Sequence, residues 1–252
     1  MKRWLIGWFV LACACGGDTE GRTIAIDWLV EAADRDDADR EFVTDTGWNV
    51  RLDEAQVAID SVLALAPKRD SIGAVARVTE WLVPVAHAHG GHDEATGKRI
   101  RAEWLDPFIV DALAEARTSL GGYSAEAGAV DVMKLELART KTRLADDLDG
   151  FRAYVAGTAE RDGEQVRFAG GLTFADSEPA RRVETPVRFE LDEGGTLILD
   201  VHASEWLRDA EFDRLPAADP GSAREITPDT QVGRAWTIGV RSPAAFSVRW
   251  KP

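Results

Sequence analysis

Apolar and polar positions alternate along much of this chain, most clearly from residue 130 onward. Val130-Asp131-Val132-Met133-Lys134-Leu135-Glu136-Leu137 reads as a strand, because successive strand side chains point to opposite faces. The runs 151–155 and 166–168 flank Arg161-Asp162-Gly163-Glu164, and an Asp-Gly pair between such runs is a hairpin signal. Runs 187–191 and 196–202 flank Asp192-Glu193-Gly194-Gly195 and predict a second hairpin. Runs 235–240 and 246–250 predict a final one. Nearer the start, 23–30 reads as a first strand and the acidic stretch 31–41 as a solvated loop. Residues 42–65 fit both strand and helix, since short apolar runs are not settled by period alone. Asp106-Pro107 is a good helix start, and Phe108, Ile109, Ala112, Leu113, Ala116 and Leu120 follow at helical spacing. With Gly121-Gly122 as a stop, these predict a helix over 107–119. Ser204 caps a short helix over 205–212, and 213–230 reads as a loop. Many short strands separated by turns predict a mostly β fold, an antiparallel β-sandwich with one or two short helices. No internal repeat or break in composition divides residues 23–252, which are expected to form a single β-rich domain.

The first residues follow a different pattern. Lys2 and Arg3 precede an apolar run from Trp4 to Ala12, which is the layout of an export signal and too short to span a bilayer. The run ends in Val10-Leu11-Ala12-Cys13, which looks like a bacterial lipobox with Cys13 as the lipidated residue and Cys15 as the alternative. Residues 1–12 are then a signal peptide and 13–22 a lipidated tether. The mature protein is expected in the cell envelope, joined to the membrane (the outer membrane being the expected one) through its N-terminal lipid. An ordinary cleaved signal with two incidental cysteines is the competing reading. Both cysteines of the chain lie in this segment, so the body has no disulfide and no thiolate ligand. A formal charge of −14 repels phosphate backbones and argues against a nucleic-acid partner.

Three of the four histidines fall in one hexapeptide, His87-Ala88-His89-Gly90-Gly91-His92. On an extended backbone His87 and His89 share a face, and the two glycines allow a turn that brings His92 toward them. Three imidazoles converging in this way suit zinc, copper or nickel. His202, on a predicted strand, is a fourth candidate ligand, with Asp200 two positions earlier as a carboxylate able to orient its ring. Asp93 and Glu94 are further candidate oxygen groups. Histidines and carboxylates without thiolates favour Cu(II) or Zn(II), although a two-histidine Cu(I) site stays open. The competing reading is a solvated glycine-histidine loop, with His202 a structural strand residue.

Two longer stretches carry a resemblance. Residues 44–55, Thr-Asp-Thr-Gly-Trp-Asn-Val-Arg-Leu-Asp-Glu-Ala, lead toward the histidine loop, and Leu197-Ile198-Leu199-Asp200-Val201-His202 runs into Trp206 and Phe212-Asp213. Together they resemble exported lipoproteins related to the methanobactin-partner copper-binding family. The resemblance implies an all-β fold with copper held mainly by histidines, here His87, His89, His92 and His202. Some members of that family use an oxidised tryptophan, but no tryptophan of this chain is matched to that role.

The sequence thus points to a lipid-anchored envelope protein that captures or buffers copper or zinc and is not expected to be an enzyme. Two other readings stand beside it. A zinc-dependent hydrolase or hydratase would need an open coordination position and a general base, for which Glu94 is available. A non-metal module for binding or assembly would use tryptophans or strand edges. The chain has nine tryptophans, expected chiefly in the core because each indole buries so much surface.

Overall fold

The structure, a computed structural model, describes residues 22–33, 40–67, 92–93, 98–144 and 148–252. In chain order the strands begin with β1 (Thr23–Ala32), β2 (Glu41–Val43), β3 (Asn49–Leu65), β4 (His92–Asp93), β5 (Lys98–Trp104) and β6 (Phe108–Asp111). They continue with β7 (Thr118–Glu126), β8 (Gly128–Leu137), β9 (Ala153–Arg161) and β10 (Glu164–Leu172). After the single helical turn α1 (Glu178–Arg181) come β11 (Arg182–Leu191), β12 (Gly195–Val201) and β13 (Arg224–Ile226). Helix α2 (Gln231–Gly239) and β14 (Phe246–Lys251) end the chain.

The ambiguous region 42–65 is mainly one strand, β3, and the larger sheet is built on it. One edge of β3 pairs in turn with β2, β6 and β5; the other pairs with β9 and then β8. The handover between β9 and β8 falls at an irregularity between Ile59 and Ser61. The first half of β3 alternates, with Val50 and Leu52 buried, whereas Val57 to Leu65 are buried on both faces. This explains the mixed signal: a strand covered on both sides reads as a continuous apolar run. The second face is covered by a small cluster of Ala58, Ala138 and Leu144, with Ile109 against it.

The larger sheet runs β11-β8-β3-β9-β10-β13 and the smaller one β14-β12-β1-β7. Their inner faces share one core, with Trp28, Val30, Leu197 and Leu199 from the smaller sheet meeting Leu52, Leu135 and Phe168 from the larger. The fold is therefore mostly β and sandwich-like, as the alternation predicts. Its pairing is mixed, however: β1–β12 and β10–β13 are parallel.

The hairpin at Asp162-Gly163 forms as expected, linking β9 to β10. Both turn residues have positive φ, 53° and 82°, as the tight turn that matches strand twist requires. The run pair around Asp192–Gly195 is not a hairpin. β11 pairs with β8 in the larger sheet, and β12 lies between β1 and β14 in the smaller one. The turn carries the chain between sheets, a choice made by distant strands and invisible to local turn chemistry.

Two helical assignments also change. Residues 107–119 are not a helix: Phe108–Asp111 form β6 on the open edge of β3, and β7 begins at Thr118. Pairing with β3 overrides the helical spacing, and Gly121-Gly122 lie inside β7 opposite Trp28 and Asp27. Conversely, residues 235–240 are not a strand but fall within or just beyond α2. Thr230 caps that helix, its hydroxyl accepting from the Gly233 amide at 3.0 Å. Val232 and Trp236 are buried on one helix face, and Gly239 sits where a Cβ would lie 2.3 Å from the Trp206 carbonyl oxygen. Residues 205–212 form two short 3-10 turns, Ala203–Leu207 and Phe212–Arg214, instead of one helix. The tryptophans are core, as expected: Trp28, Trp48, Trp206 and Trp236 are at most 1% exposed, so none of the four offers a ligand platform. Trp104 is also buried, and Trp250 is half-buried against Phe189. Trp81 lies outside the described residues.

Candidate functional site

At the far end of the smaller sheet, β12 lies between β1 and β14, and strand register sets three polar residues in a row. Asp200 is opposite Glu31 on one side and Ser247 on the other. Two neighbouring carboxylates, both buried, would repel each other. Arg249 resolves the conflict. Its Nε and Nη2 donate to the two Asp200 oxygens at 2.7 and 2.6 Å, and Nη2 also reaches Glu31. Arg117, at the end of the β6–β7 connection, donates through Nε to the other Glu31 oxygen. Burial pushes the Glu31 carboxyl up, but the bonds from Arg117 and Arg249 outweigh it and hold the group below its ordinary value. The bond to Asp200 likewise raises Arg249.

His202 joins this network through serine. Its Nε2 lies 3.0 Å from Ser247 Oγ, which donates to Asp200 Oδ2 at 3.4 Å. The ring is half-buried, and its backbone amide donates to the Ala245 carbonyl at 2.9 Å. These groups line a cleft of about 430 Å³. Serine, histidine and aspartate meet here, but serine is in the middle. Activation of a serine nucleophile needs histidine in the middle, held by the carboxylate, so the order does not suit hydrolysis.

The expected partnership of Asp200 with His202 is thus indirect. Both sit at the end of one strand, but Asp200 gives both oxygens to Arg249 and reaches the imidazole only through Ser247. Two guanidiniums balance the two carboxylates, so a metal cation would have to displace an arginine to bind them. Among the described residues no group of three His, Cys, Asp or Glu side chains is arranged to hold a metal ion.

The remaining candidates lie elsewhere. His87, His89 and Glu94 fall outside the described residues, as do Cys13 and Cys15. For His92 and Asp93 the backbone is described: they form β4, paired with Arg99 and Lys98 of β5. Arg99 and Arg101 hold Glu126 at the end of β7, and Glu126 pairs with Thr23 at the start of β1. His202 follows Val201, the partner of Ala32 at the other end of β1. Ten strand residues span roughly 30 Å, so the backbone ties His92 and His202 to opposite ends of β1.

Sequence reasoning missed Ser247, Arg249, Glu31 and Arg117. Ser247 and Arg249 show the same two-residue spacing on β14 that singled out Asp200 and His202 on β12. Only the strand pairing reveals that the two pairs belong together. Glu31 reads as the start of a charged loop but is the buried end of β1.

Fold and site together define a mostly β, two-sheet protein with a salt-bridged polar cleft at one end of its smaller sheet. No family model matches the chain, and no curated protein matches it. The solved structure of MbnP from Methylosinus trichosporium aligns with 92% of this chain and 99% of its own, at 10% identity and a TM-score of 0.42. That is a loose likeness.

Proposed function

We propose that this protein is exported, anchored to the envelope by lipid on Cys13, and binds a copper or zinc ion through His87, His89 and His92. The observation that carries the reading is the density of imidazoles: three of the four histidines lie within six residues. Neutral imidazole is a common ligand for both metals. The pairing of β4 with β5 ties the His92 end of this loop to the larger sheet. His202 is left out of the ligand set, because strand pairing ties it to the opposite end of β1 from His92.

The test is thermal unfolding of the full chain, alone and with Cu(II), Zn(II) or Ni(II). A metal at about a thousand times its dissociation constant stabilises the folded state by roughly 4 kcal/mol, on the order of 10 °C for a protein of this size. That shift is expected with copper or zinc, to vanish in the His87→Ala/His89→Ala double variant, and to persist in His202→Ala. No shift with any metal, or a shift unchanged in the double variant, would defeat the proposal. Metabolic labelling with a radioactive fatty acid tests the anchor separately, with Cys13→Ser expected to abolish incorporation.

A further inference from the structure

The cleft beside His202 is built in two charged layers. The carboxylates form the inner layer: the Glu31 and Asp200 side chains are 6% and 4% exposed. The guanidiniums form the outer layer: Arg117 and Arg249 are 41% and 46% exposed. An arginine carries five N–H donors in a fixed planar fork. Arg249 spends its Nε and Nη2 on the inner carboxylates, and Arg117 spends its Nε. Nη1 of Arg249 and both terminal nitrogens of Arg117 bond no described group of the protein. The carboxylates therefore fix the planes of two arginines at the cleft and leave their outer donors unspent. His202 and Ser247 line the same space. This donor-rich wall is the reverse of a cation site.

We propose that this cleft binds an oxyanion, the carboxylate or phosphate group of a small solute, between Arg117, Arg249 and His202. Paired arginine forks match the geometry of both groups, and pre-fixed planes lower the ordering cost of binding. The site is separate from the histidine loop and needs no metal.

Full-length protein is titrated by calorimetry with inorganic phosphate and with succinate, at constant pH and at low ionic strength. Saturable binding of at least one is expected, and about tenfold weaker in Arg117→Gln. Arg167→Ala, at an exposed arginine bonded to the Gly221 carbonyl, should bind as the parent does. Preference for phosphate or for succinate identifies the headgroup. In the unsubstituted protein the ring resonances of His202, assigned by their loss in His202→Gln, should shift along the same binding curve, so a poorly folded variant does not decide the matter. No saturable binding of either anion, equal binding by Arg117→Gln, or unmoved His202 resonances would overturn the proposal.

Discussion

Two clusters of buried charge in this protein use the same residue types to different ends. One lies behind β3, where the strand is irregular. Asp60 there accepts from Thr142 at 2.8 Å, Arg139 at 3.1 Å and Arg181 at 3.4 Å. Beside it Arg152, 3% exposed, donates to the carbonyls of Arg139, Phe151, Thr140 and Thr142. All three of its guanidinium nitrogens are satisfied within the chain, and the arginine acts as a clamp on the 139–142 turn. The other cluster is the cleft of Glu31, Asp200, Arg117 and Arg249, where the arginines are half-exposed and only part of their donors are used. Burial alone therefore does not mark a functional group. Arg152, whose nitrogens all bond backbone carbonyls, holds structure, whereas Arg117 and Arg249, with outer donors unspent among the described residues, can meet a ligand.

Four measurements bear on this contrast. The largest effect is expected at the closed cluster. Asp60→Ala removes the buried carboxylate shared by Arg139, Arg181 and Thr142, leaving buried Arg181 with the more distant Glu136 carboxylate at 3.6 Å, and should cost about 3–5 kcal/mol in denaturant unfolding. Arg249→Met sets Asp200 and Glu31 side by side unbridged. Its cost should be smaller, about 2–3 kcal/mol, because the arginine is half-exposed and partly screened. Adding Glu31→Gln should restore part of that loss, and a double-mutant cycle measures the coupling. A loss at Arg249 equal to that at Asp60 would erase the distinction between the clusters.

Acid gives a gentler readout. The folded Glu31 carboxyl lies below its unfolded value, so its stabilisation is complete above the unfolded pKa, near 4.5. It is lost as pH falls through the lower folded value. Stability should decline below about pH 4.5, and Glu31→Gln should flatten that decline, as followed by denaturant midpoints across pH 3–7. The smallest effect is expected at Ser247→Ala, which removes the contact with His202 and a long, 3.4 Å bond to the Asp200 carboxylate and should cost about 1 kcal/mol. If it costs several, the serine is a structural keystone and the cleft resembles the closed cluster.

Much of the strand content was legible because alternation is a local signal. β1, β8, β9 and β10 fall where the period places them, and the Asp162-Gly163 turn is where its chemistry predicts. The errors share one cause. Residues 107–119 have helical spacing, but Phe108-Ile109-Val110 meet the open edge of β3 and pair there. Residues 235–240 alternate, but α2 packs Trp236 into the core and fits Gly239 against Trp206. The turn at 192–195 looks like a hairpin yet joins two sheets. In each case a partner far away in sequence decided between conformations that were locally close in free energy.

The candidate site divides in the same way. The sequence by itself determined its ingredients: a cluster of three histidines, an isolated His202 beside Asp200, an acidic surface charge and a body without cysteine. These follow from residue identity and need no fold. Tertiary structure decided the company each residue keeps. Parallel pairing of β1 with β12 put Glu31 against Asp200, and antiparallel pairing with β14 brought Ser247 and Arg249 to the same end. That juxtaposition joins residues more than two hundred positions apart in the chain. Backbone hydrogen bonding sets it through strand register, and no short window of sequence encodes that register.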